Sequence, residues 1–164
     1  MRLNPNNDKA HLLLGDALGS NGDWDAEITE EREALRLNPN NEGIVPGMAH
    51  ALLGAALGRK GDWGGEITEE REALHLNPNN DMAHLNLGVA LGQKHDWDGM
   101  IAECREALRL NPNNDRAHAG LGMALEVKRD RHGALEEFRA AYMLDPKNAD
   151  YKQNYERLLR KVNQ

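Results

Sequence analysis

A 34-residue period governs this chain. Five Leu-Asx-Pro turns start at Leu3, Leu37, Leu76, Leu110 and Leu144, and their prolines are 34, 39, 34 and 34 residues apart. Trp24, Trp63 and Trp97 keep the same 39 and 34 spacing, and Arg131 takes the fourth place. Leu14, Leu53, Leu87 and Leu121 are each followed by a glycine, and Ala34, Ala73, Ala107 and Ala141 recur in step. Self-similarity at a fixed period of this length marks stacked supersecondary units, because one unit cannot bury its apolar stripe alone.

Each unit reads as two helices. In the third, the segment from Asp81 to Lys94 carries Leu87, Ala90 and Leu91 on one stripe at helical spacing. Asp96 is placed to cap the next segment, where Trp97, Met100, Ile101, Cys104, Ala107 and Leu108 keep the same spacing. Asn111-Pro112 stops it, since proline lacks the amide donor and clashes with the preceding turn. No useful length alternates with period two, so an all-α fold without strands is expected.

The 34-residue period, the Leu87-Gly88 pair, Trp97, Ile101, Ala107-Leu108, Leu110 and Pro112 resemble the tetratricopeptide repeat, over nearly the whole chain. The resemblance implies a right-handed α-α superhelix, a single solenoid over residues 1–164. Its four helix pairs would fall at about 3–36, 37–75, 76–109 and 110–143, with a capping helix at about 149–161. It also implies a concave face lined by the first helices, where such families bind peptides, helices or whole partner proteins without catalysis.

The C-terminal cap is legible as an amphipathic segment, with Tyr151, Tyr155, Leu158 and Leu159 among Lys152, Gln153, Glu156, Arg157, Arg160 and Lys161. The N-terminal end starts in a turn that ought to follow a helix. Either the chain is cut from a longer array or its first helix pair is exposed, and in the second case the pair could meet another copy in a homo-oligomer.

With the helices placed as the resemblance implies, Leu12, Asp16, Met48, Ala51, Arg59, Met82, Leu85, Val89, Gln93, Arg116, Met123 and Val127 fall on the partner-binding face. Leu12, Met48, Leu85, Val89, Met123 and Val127 are the expected apolar contacts, and Arg59 and Arg116 the polar anchors. Methionine adapts its shape and suits varied apolar ligands. Gly19, Gly58 and Gly92 stand where the family tends to place bulk, which suggests either an early helix end, the favoured reading, or room for a ligand backbone. The family's carboxylate-gripping members use a lysine and asparagines that this chain lacks. The matching rows hold Leu12, Ala51, Leu85 and Ala119, then Asp16, Ala55, Val89 and Met123. Binding of a chaperone tail is therefore not expected.

His11, His50, His84 and His118 form one row of the first helices, expected against Glu31, Glu70, Cys104 and Phe138 of the second helices. Glu27 and Glu66 lie one turn earlier, where the family usually has alanine. Buried His-Glu hydrogen bonds are the favoured reading, with weakening of the first two units at low pH as a consequence. A metal site built on His11, Glu27 and Glu31 is the remote alternative.

Charge and composition narrow the function. With 20 Lys and Arg against 27 Asp and Glu, the net charge of -7 opposes nucleic acid or an anionic membrane as the partner. No apolar run approaches the roughly 18 residues of a membrane span, and the N-terminus shows no signal-peptide stretch. Cys104, the single cysteine, has no internal disulfide partner, which fits a reducing compartment and a cytoplasmic location. Neither a Ser-His-Asp set nor a phosphate loop is visible, so no catalysis and no cofactor are expected. The five added residues Glu42-Gly43-Ile44-Val45-Pro46 read as a tolerated loop insertion.

Overall fold

The computed structural model of the chain describes residues 7–39, 45 and 47–163, and nine α-helices and no strand lie among them. They are α1 (Asp8–Ser20), α2 (Trp24–Leu37), α3 (Met48–Arg59), α4 (Trp63–Leu76), α5 (Asp81–Gln93), α6 (Trp97–Leu110), α7 (Asp115–Val127), α8 (Arg131–Leu144) and α9 (Ala149–Val162). They fall into two compact units, residues 1–79 with α1 to α4 and residues 80–164 with α5 to α9. In the first unit α1 packs on α2, α2 on α3 and α3 on α4; in the second the same neighbour packing runs from α5 to α9, and the first helices of successive pairs also touch, α1 with α3 and α5 with α7. The turn at Leu3 and residues Glu42, Gly43, Ile44 and Pro46 of the insertion lie outside the described residues. Val45 of that insertion is exposed.

Short polar side chains set where each helix begins. Asp23, Asp62, Asp96 and Asp130 start the second helices, their carboxylates accepting from the amides of Ala26, Gly65, Gly99 and Gly133 at 2.9–3.2 Å. Asn7, Asn80, Asn114 and Asn148 do the same for α1, α5, α7 and α9. The helix after the insertion differs: Gly47 at its N-cap offers no side chain and takes a φ of 77°. A Cβ there would overlap the carbonyl of Ala73. Between the helices of each pair the chain reverses through a left-handed residue: Gly22, Gly61, His95 and Arg129. The first two are glycines; the last two hold the same conformation against a steric cost.

The cores are small and close-packed. In the first unit Ile28, Leu53, Ala56 and Leu57 cluster, beside a second cluster of Leu12, Ala34 and Ala49. In the second unit Met100, Cys104, Leu121, Leu125, Phe138 and Leu158 form the largest cluster. Ala34, Ala73, Ala107 and Ala141 are all buried, which lets neighbouring helices approach closely. Helix α9 closes the second unit with Tyr151 and Leu158 inward, and its Tyr155 ring stacks on Tyr142 at 6.1 Å. The α9 places that match His118 and Gly122 hold the exposed Lys152 and the half-buried Glu156.

Candidate functional site

The second unit carries a groove. Val89, Gly92 and Gln93 of α5, His95 in the turn, Trp97 and Met100 of α6, Met123, Glu126 and Val127 of α7, and Asn154 and Arg157 of α9 enclose about 630 Å³. Met100 forms a buried floor, while Met123 and Val127 stand about half exposed at 47% and 51%. Gly92 makes the floor possible: a Cβ there would come within 2.5 Å of the Met100 sulfur. The left-handed turn at His95 reverses the chain between α5 and α6, and the His95 ring lies against Trp97 at 5.7 Å. Arg157 donates from both terminal nitrogens to Glu126 at 2.6 and 2.5 Å, and Lys161 stands 3.5 Å from the same carboxylate. These hydrogen bonds hold the Glu126 carboxyl below its usual range. An apolar floor with two adaptable methionines and a fixed polar edge is suited to holding an apolar side chain of a peptide.

Four of the sequence-predicted residues meet here: Val89, Gln93, Met123 and Val127. Met82 and Arg116 are exposed but outside the groove lining. Leu85 requires correction. It is fully buried against Ala107 and Ala117, where the next helix pair covers it, and so it is a core residue. Leu12 is likewise buried, against Ala34 and Ala49. In the first unit Asp16 and Met48 are exposed and Ala51 is half-buried. Arg59 is committed within the chain, its Nη1 donating to both oxygens of the buried Glu27 at 2.7 and 2.6 Å. The groove residues Trp97, Asn154 and Arg157 were missed, although Arg157 follows Met123 by one period of 34.

Gly19, Gly58 and Gly92 each stand one residue before the end of their helix, at Ser20, Arg59 and Gln93. Each makes room for a long side chain of the paired helix, namely Glu27, Glu66 and Met100. One turn earlier in the first helices, Gly15, Gly54, Gly88 and Gly122 face Glu31, Glu70, Cys104 and Phe138.

The histidine row therefore pairs one residue away from the expected place. His11, His50, His84 and His118 meet Glu30, Glu69, Glu103 and Glu137 through Nδ1 at 2.5, 2.7, 2.6 and 2.6 Å. His118, held also by the Pro112 carbonyl, has its pKa raised chiefly by Glu137. His11, Glu27 and Glu31 do not form a metal set, and no group of three His, Cys, Asp or Glu side chains among the described residues could hold an ion.

Glu31 is fully buried, and neither of its oxygens has a hydrogen-bond partner among the described residues. Burial pushes its carboxyl up to about 8, the charge of Glu27 and that of Asp16 adding to the rise and Arg59 opposing it. Burial likewise raises Glu66 to about 7. These groups are neutralised in the folded unit, which reverses the sign expected for acid: lowering pH favours their buried state.

Cap-defined helix pairs repeating every 34 residues, with a ligand-sized groove on the first-helix face, define a helical-repeat protein. The chain belongs to the tetratricopeptide repeat family, whose profile matches residues 1–42 and 85–149. No curated protein matches the sequence. Among solved structures, MamA from Desulfovibrio magneticus RS-1 is 22% identical with a TM-score of 0.82, over 94% of this chain and 85% of that one. YrrB, described as a TPR protein with an unusual peptide-binding site, is 20% identical with a TM-score of 0.78, over 98% of this chain and 80% of that one. The first TPR domain of Spaghetti (RPAP3), bound to an HSP90 peptide, is 15% identical with a TM-score of 0.69, over 72% of this chain and 94% of that one. These likenesses establish the fold. In addition, no described helix is long and apolar enough to cross a membrane.

Proposed function

We propose that the chain is a non-catalytic protein-interaction scaffold whose second unit holds a peptide or helix of a partner protein. The observation that carries this reading is the apolar groove over Met100, with Val89, Met123 and Val127 on its walls. Fold neighbours with peptide-binding descriptions, YrrB and RPAP3, support it. The terminal-carboxylate grip is not part of the reading, because Leu12, Ala51, Leu85 and Ala119 occupy the rows that would hold it. Panning a random peptide display library on the wild type and on Met123→Glu with Val127→Glu tests the proposal. Apolar-anchored binders lost on the double variant are expected; binders that ignore it, or no enrichment at all, would contradict it.

A second reading, self-association through α1, rests on Leu13, which is 73% exposed there. Light scattering over a hundredfold concentration range tests it. Growth in mass that Leu13→Glu abolishes would support it, and a constant monomer would remove it.

A further inference from the structure

The link from α2 to α3 is longer than helix packing requires. It spans residues 38–47, whereas residues 111–114 suffice between α6 and α7. In both places the second helix of one pair lies against the first helix of the next. The added residues Glu42-Gly43-Ile44-Val45-Pro46 set three apolar side chains in a row behind a carboxylate. The Val45 carbonyl accepts from the Met48 amide at 3.0 Å, at the start of α3, while the residue stays 57% exposed. Its backbone is tied to the fold and its side chain is left to solvent. An apolar side chain held in that way gains by being covered.

The groove of the second unit complements this segment in polarity and in charge. Its floor and walls are apolar, and at its edge Arg157 and Lys161 set two cations against the single carboxylate of Glu126. Lys94 and Arg129 add exposed cations in the adjoining turns, next to His95 and two residues after Val127. The neighbouring carboxylates are engaged: Asp98 by Lys128, and Asp96 and Asp130 as helix caps. The segment belongs to the opposite charge. Residues 1–79 hold 14 acidic and 7 basic side chains, and residues 80–164 hold 13 of each, so the whole net charge of -7 lies in the unit that carries the insertion.

We propose that the groove of one copy holds Ile44 and Val45 of a second copy of the chain. The inference rests on the reading of the groove as a peptide site and names its occupant. Ile44 and Val45 cover the Met100 floor between Met123 and Val127, and Glu42 lies toward the Arg157 and Lys161 edge. The acidic first unit of one copy is drawn to the basic rim on the other, and burial of the two apolar side chains holds it there. Each copy offers one segment and one groove, so the same contact serves a reciprocal pair or a head-to-tail chain. It makes no use of Leu13 on α1.

Analytical ultracentrifugation of the full chain over a hundredfold concentration range tests this. Association is expected, weakened about tenfold or more by Ile44→Asp with Val45→Asp, the scale set by uncovering two branched apolar side chains. Met123→Glu with Val127→Glu should weaken it as much, and Leu13→Glu less than twofold. Mixing the segment variant with the groove variant is the decisive step, because one retains the groove and the other the segment. The mixture should recover a dimer that neither forms alone, which also shows that both variants fold. A mixture that stays monomeric would overturn the proposal, as would growth in mass that Leu13→Glu abolishes and the segment variant leaves intact. A constant monomer would overturn it too, while display-library binders that depend on Met123 and Val127 would still leave the peptide reading of the groove in place.

Discussion

Glu31→Gln keeps a buried side chain's shape and removes its ability to ionise, and the consequence for stability can be worked out with its sign. Below pH 4.5 the Glu31 carboxyl is protonated in the folded and unfolded chains alike, so it adds no pH dependence. Between 4.5 and about 8 the unfolded chain releases the proton while the folded unit keeps it, and stability falls as pH rises. Above 8 the loss is complete. A displacement of that size is at most about 5 kcal/mol, at roughly 1.4 kcal/mol per unit. Water entry and relaxation around the charged form reduce it, and ~2–3 kcal/mol is the expected span. Glutamine cannot ionise, so Glu31→Gln should be nearly neutral at pH 4.5 and stabilising by ~2–3 kcal/mol at pH 8.5. Urea unfolding at the two pH values measures the difference, and hydrogen exchange localises the gain to α1 to α4. A substitution effect that is the same at both pH values would refute the reasoning, as would destabilisation at pH 8.5.

Three further outcomes follow from single side chains. Gly92→Ala should destabilise by ~1–2 kcal/mol by displacing the Met100 sulfur. In a double-mutant cycle with Met100→Ala, most of that cost should vanish, because the space is then available. Arg129→Gly, at a left-handed turn residue with φ 67°, should raise the unfolding midpoint, with about 1 kcal/mol gained. Gly47→Ala should lower it by ~2 kcal/mol or more, since the residue has φ 77° and its new Cβ would overlap the Ala73 carbonyl.

The second helices α2, α4, α6 and α8 were the most legible because three local signals agree at each one: apolar spacing, an Asp cap, and a Leu-Asx-Pro stop. The side-chain partners were harder to see because they depend on how two helices are rotated against each other. The histidines show this. A rotation of one residue moves their partners from Glu31 and Glu70 to Glu30 and Glu69. The constant separation of 19 between His11 and Glu30, His50 and Glu69, His84 and Glu103, and His118 and Glu137 was the available signal.

The glycines were half legible for a similar reason. Propensity reads Gly19, Gly58 and Gly92 as helix ends, and the helices stop one residue on, but only tertiary packing shows that they serve as space. Comparing columns exposes the exchange: glycine faces Glu27, Glu66 and Met100 in three units, and in the fourth Glu126 stands against the sequence place of Ala134. Size is conserved across the pair rather than at either position. Leu12 and Leu85 were misassigned because the next helix pair covers the first turns of α1 and α5. The α9 side of the groove was missed because that helix had been assigned only a capping role.

The most direct test of the scaffold account is methyl NMR of the protein with the tightest peptide selected from the display library. The account predicts shifts concentrated at the methyl groups of Val89, Met100, Met123 and Val127. Those of Leu53 and Ile28 in the first unit should stay in place. Shifts at the exposed Met143, with the groove methyls unmoved, would contradict it.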